Sequence, residues 1–152
     1  MSKKEIEKFF SDDDLKKISQ EICEIEKLTS GEIRLSVQEE RGKLEKDKTP
    51  REIALLEFVR LEMHKTKDRT GVLIHILINE RKFEILADEG INKKIEEHIW
   101  HEIKEHMRTE FRKSNYLEGV LFAIKLIGEK LKEEFPCNDD DTDELSNDVI
   151  IK

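Results

Sequence analysis

The sequence predicts an α/β protein: a three-layer α/β/α sandwich in which helices flank a small mixed β-sheet. Three observations carry that prediction. Apolar residues recur at three- and four-residue steps in four stretches, the period of a helix with one buried face. Three shorter stretches, 33–37, 72–78 and 83–87, alternate in polarity or run apolar, the mark of strands. The resulting order, α-β-α-β-β-α-α, makes the first two strands parallel through a right-handed crossover and the third antiparallel through a hairpin. At 152 residues the chain suits one domain with one core, since a chain of about 150 residues buries roughly 68–70% of its unfolded surface.

Each element has its own local cause. Ser11 followed by Asp12, Asp13 and Asp14 is a helix start, a hydroxyl cap with acids at the positive helix end. Leu15, Ile18, Ile22 and Ile25 then form one apolar face to about Lys27, and "TSG" at 29–31 ends it. Ile33, Leu35 and Val37 alternate with polar residues, a strand buried on one face. After a charged loop at 39–49, Thr49 caps a second helix with Pro50 at its first position. Ile53, Leu55, Phe58, Val59 and Leu61 are its expected apolar face, to about Met63. "VLIHILI" at 72–78 is nearly all apolar and reads as a central strand covered on both faces. "NERK" turns the hairpin into Phe83, Ile85 and Ala87. Ile95, Ile99, Ile103 and Met107 predict a helix over about 92–111, and Tyr116, Val120, Ile124, Ile127 and Leu131 a final long one ended by Pro136. Residues 137–152 are a separate acidic segment whose last residues, "VIIK", either add a short edge strand or fray.

Composition narrows the function. Formal net charge is −8, with no basic stripe interleaved with aromatics, so nucleic acid is not an expected partner. No apolar stretch approaches the ~20 residues of a membrane span, and the start of the chain lacks an apolar signal region, so the expectation is a soluble, cytoplasmic monomer. Cys23 and Cys137 fit no metal spacing, and a disulfide between them is a minority expectation. No nucleophile motif, P-loop or dinucleotide fingerprint occurs.

The topology brings "TSGE" (29–32), "KDRTG" (67–71) and "ADEG" (87–90) to one end of the sheet. That rim carries Asp88, Glu89, Asp68 and Glu32, with Glu96 and Glu97 one turn into the next helix. Carboxylate and backbone oxygens on mixed loops are what a hard divalent cation accepts, Ca2+ by preference and Mg2+ with more retained water. Turn and cap roles for the same acids are the commoner explanation of such residues, and an Asp–Arg pair is the simplest. "EEHIWHEIKEH" (96–106) imitates a zinc-protease helix, but His101 and His106 are five apart rather than four. His98, His101 and His106 therefore read as a solvated face; His75 is either a satisfied core residue or one facing a cleft, and His64 follows a helix end.

In the order and spacing of "LTSGEIRLSV" (28–37), "LEMHKTKDRTGVLIHILINERKFEILADEGI" (61–91) and "FRKSNYLEGVLFAIKLIGEKL" (111–131), the chain resembles the soluble bacterial branch of the TPM domain family from about residue 9 to 136, which makes residues 1–136 the expected domain. The resemblance implies the same α/β/α sandwich. It also implies divalent-cation binding, calcium among the ions, and a link to a thylakoid-lumen relative described as an acid phosphatase. Two departures stand out. The signal peptide and membrane anchor common in the family have no counterpart. "ADEGI" stands where relatives often have "YG-x-EG" or "GDKGI", so Ala87 replaces a glycine while Asp88 matches the acid. Asp88 carries over best, Glu96 and Glu97 fall where relatives often place acids, and Asp68 and Glu32 rest on topology. The expected function is a Ca2+-binding regulatory or interaction module. A metal-dependent acid phosphatase on the same rim is the alternative, and a third reading is a protein-binding domain whose acidic tail makes the contact.

Overall fold

The computed structural model describes residues 4–137 and 147–152. A short helix α1 (Lys4–Phe9) leads into α2 (Asp12–Glu26). Then follow β1 (Glu32–Gln38), α3 (Pro50–Arg60), β2 (Gly71–Leu77) and β3 (Lys82–Ala87). α4 (Glu89–Asn92), α5 (Glu97–Arg112) and α6 (Tyr116–Glu134) complete the helices, and β4 (Ile150–Ile151) ends the chain. The sheet order is β3-β2-β1-β4. β1 and β2 are parallel from Glu32↔Gly71 to Gln38↔Leu77, and β2 and β3 antiparallel from Val72↔Ala87 to Leu77↔Lys82. The expected α/β architecture is therefore the observed one. "VIIK" forms the edge strand, with Ser36 opposite Ile150 and Val37 opposite Ile151 in parallel. Most of the expected acidic segment, 138–146, lies outside the described residues.

The two faces of the sheet are unequal. Ile33, Leu35, Val37, Val72, Ile74 and Ile76 point into the large core, where α2, α5 and α6 bring Ile18, Ile22, Ile103, Met107, Val120 and Ile124. The opposite face has a small cluster, Leu73 and Leu86 against Ala54 and Phe58 of α3 and Met63 just beyond it. β2 lies between the two, which is why all seven of its residues are buried and why its sequence lost the alternation of a one-sided strand. Both predicted caps form as reciprocal boxes: Ser11 with Asp14, and Thr49 with Glu52. α6 approaches α2 closely because residue 128 is glycine; a Cβ there would lie 2.7 Å from Ile25 Cδ1.

Two expectations need correction, and one helix was not expected. α1 forms ahead of Ser11, its Ile6 anchored in the large core. The expected helix over 92–111 is two helices, because Asp88 caps a first turn at 89–92 and the chain restarts at Glu96. The apolar face of α3 is the expected one only in part: Ile53 and Phe58 are buried as expected and Ala54 and Glu57 join them, while Leu55 and Val59 are 55% and 50% exposed. No disulfide joins Cys23 to Cys137. Among the described residues no helix is long and apolar enough to cross a membrane.

Candidate functional site

The three predicted segments do meet at one end of the sheet. Glu32 N donates to Thr70 O at 3.0 Å, Asp88 N to Gly71 O at 2.9 Å, and Gly90 N to Arg69 O at 3.0 Å. Gly90 is required there: a Cβ would come within 2.3 Å of Asp68 O and 2.6 Å of Arg69 O, both rigid backbone. This seats the start of α4 directly on the 68–69 turn.

Asp88 is the organising side chain. It is 7% exposed and caps α4, its Oδ1 accepting from Glu89 N at 2.8 Å. Arg69 donates to it in a two-pronged fork, Nε to Oδ2 at 2.7 Å and Nη2 to Oδ1 at 2.8 Å. The same guanidinium reaches Glu89, Nη1 to Oε1 at 3.6 Å. The hydrogen bond to Asp88 raises the Arg69 pKa further above its ordinary value. Arg69 holds a left-handed backbone, φ 57°, in the turn that makes this reach.

The remaining predicted ligands scatter. Glu32 is buried at the start of β1, 2% exposed, and Asp68 is exposed on the turn. Glu96 precedes α5 without a side-chain capping bond and pairs with His98 Nδ1 at 3.0 Å; it and Glu97 line a different hollow, with Lys93, Lys94 and Trp100. A divalent cation asks for several oxygens around one point. Among the described residues no three His, Cys, Asp or Glu side chains form such a group. The cationic group that the rim holds is the guanidinium of Arg69. The histidine helix supplies no centre either: His98 is taken by Glu96, His101 is exposed and His106 stacks on Phe122 with ring centroids 3.5 Å apart.

A second polar centre was not anticipated. Under α3, Glu57 is 2% exposed. Arg60 donates to it twice at 2.8 Å, Lys152 Nζ at 3.0 Å and Ser36 Oγ at 2.9 Å. Burial alone would raise its carboxyl, but these donors outweigh it and bring the pKa down to about 2. Beside Ser36 in register stands His75, 2% exposed, neither ring nitrogen having a hydrogen-bond partner. Burial pushes its pKa down to about 4 despite the charge of Glu57. The sequence held one clue: Glu57 is four residues after Ile53, on the buried stripe rather than off it.

A mixed four-stranded sheet, three long helices on one face, one on the other and an ion-paired loop rim define a small α/β/α sandwich domain. The chain belongs to the TPM domain family, whose model matches residues 5–130. It is similar to the BA42 protein from the psychrophilic bacterium Bizionia argentinensis, known by NMR. That similarity is 30% identity and a TM-score of 0.84 over 95% of this chain and 96% of that one. The N-terminal domain of a protein from P. gingivalis, also solved by NMR, shares the fold at 16% identity. Its TM-score is 0.67 over 84% of this chain and 79% of that one. No functionally curated protein matches the chain.

Proposed function

We propose that this TPM-domain chain is a binding module whose sheet rim takes a divalent cation, Ca2+ by its ligand chemistry, in a regulatory or interaction role. The observation that supports it is the convergence of two carboxylates, Asp88 and Glu89, on one guanidinium whose side chain is 44% exposed and so free to leave. In this reading Asp88 and Glu89 hold the ion where the guanidinium now sits, and the ion supplies charge neutralisation. Asp68, Glu32, Glu96 and Glu97 are not drawn into that point. A cytoplasmic, monomeric protein goes with this reading, and two cysteines without a disulfide are in keeping with a reducing compartment.

Calorimetric titration with Ca2+ and Mg2+ tests it. Asp88→Asn should abolish binding, and Arg69→Gln should tighten it by about tenfold, because a competing cation is removed. Unchanged affinity in both variants sinks the assignment. Metal-dependent phosphoester hydrolysis at the same rim has its own readout, nitrophenol release from p-nitrophenyl phosphate that disappears in Asp88→Asn. No nucleophile motif in the sequence favours it.

A further inference from the structure

A hollow lies far from the rim along the sheet, at the opposite end of β2 and β3. It measures about 570 Å³ and is open on one side. That volume falls within the ~300–1,000 Å³ of small-molecule sites. Its wall is aromatic. Phe83 and Phe111 meet edge-on with centroids 5.5 Å apart, Phe111 and Tyr116 at 5.4 Å, and Phe9 and Tyr116 at 4.4 Å. These four rings are only half-buried, so ring surface faces the hollow.

The rim of the hollow is cationic. Arg81, Lys82, Arg108 and Arg112 line it, against a single acid, Glu84, which Arg51 already pairs at 3.3 Å. Arg108 is held by Glu105 and lies 5.7 Å from the Phe83 centroid. Among the described residues Arg81, Lys82 and Arg112 have no ion-pair partner. Arg81 takes a left-handed backbone, φ 55°, at the hairpin, where glycine or asparagine is cheaper, and this places its guanidinium 5.9 Å from the Phe9 centroid. The chain as a whole carries −8. Four cations against one acid around one concave surface run counter to the sign of the chain as a whole, and a low-dielectric aromatic wall strengthens their pull on an anion.

We propose that this hollow binds a small organic anion with a flat aromatic body: the rings take the body and Arg81, Lys82 and Arg112 take the anionic group. Guanidinium forks match planar carboxylates and tetrahedral oxyanions alike. A neutral arene would forgo the charge, and a bare anion would leave the ring surface wet.

The full chain, titrated with 2-naphthoate and followed by 1H–15N correlation spectra, tests the proposal. Saturable shifts are expected at residues 81–84 and 108–116. Arg112→Glu and Lys82→Glu, both at exposed positions, should each weaken binding by about tenfold with the spectrum otherwise intact. 2-Naphthalenemethanol, the neutral counterpart, should bind at least about tenfold more weakly, and inorganic phosphate should give no saturation in the same range. The proposal is overturned if the alcohol binds equally, if phosphate binds as tightly as naphthoate, if both variants keep the wild-type affinity, or if saturable shifts are absent or centred elsewhere.

Discussion

Glu57 shows how one residue can govern a face of the sheet. The carboxylate is buried, yet four donors from three elements converge on it: Arg60 from its own helix, Ser36 from β1 and Lys152 beside β4. It thus ties the edge strand to the centre of the sheet and α3 to both. Glu57→Gln keeps the shape and removes the charge. Loss of one member of a buried pair costs about 3–5 kcal/mol where the partner is left stranded. Here Arg60 and Lys152 side chains are 53% and 30% exposed and can return to water, so about 2 kcal/mol is expected. The urea midpoint checks this, and an unchanged midpoint would show the pair to be neutral. Periodicity could not find this residue, because α3 is apolar around most of its circumference. With Ile53, Ala54, Leu55, Leu56, Phe58 and Val59 in six of seven positions, several stripes compete, and only the polar groups on the facing strands choose between them.

At the scale of elements, the break between α4 and α5 decides the shape of the rim. Ile91, Ile95, Ile99 and Ile103 keep helical spacing straight through the break, and Ile91 before it and Ile95 within it are both buried. A periodic signal therefore cannot reveal that the chain leaves the helix at Lys93 and re-enters at Glu96. What holds α4 in place is the docking of Gly90 on the 68–69 carbonyls, a long-range contact with no local signature. The glycines separate on the same logic. Gly90→Ala drives a Cβ into backbone oxygens at 2.3 and 2.6 Å, while Gly128→Ala meets the Ile25 side chain, Cδ1 at 2.7 Å and both Cγ atoms at 2.9 Å. Gly90→Ala is expected to cost about 2–3 kcal/mol and Gly128→Ala about 1–2 kcal/mol. Amide hydrogen exchange distinguishes the two: only Gly90→Ala should speed exchange at Asp88, Gly90 and Asn92, whose amides hold the rim together. Equal effects at the rim would show that the docking is not steric.

For the whole molecule, the two-sided burial of the sheet has a consequence in acid. The architecture was legible because a period of two and a period near four are both properties of single segments, and the crossover rule assembles them. The unequal filling of the two faces was not, and it leaves His75 in a neutral form under α3. Its folded pKa, about 4, lies below the ordinary 6.5, so protons prefer the unfolded chain. Stability is complete above about pH 6.5 and falls as the pH drops from there towards 4. Glu57, at about 2 against 4.5, contributes stability that is present above about 4.5 and is lost as the pH falls towards 2. The two windows adjoin, and unfolding free energy should decline continuously from neutrality into strong acid. His75→Leu removes the first window, worth on the order of 2–3 kcal/mol, and leaves the second. It also replaces two buried nitrogens without partners, so the variant should be no less stable at pH 7. Urea midpoints at pH 7, 5.5, 4 and 3 decide the matter. Wild type and His75→Leu should diverge between pH 6.5 and 4 and run parallel below that, and parallel curves throughout would mean that His75 is not the group that senses acid.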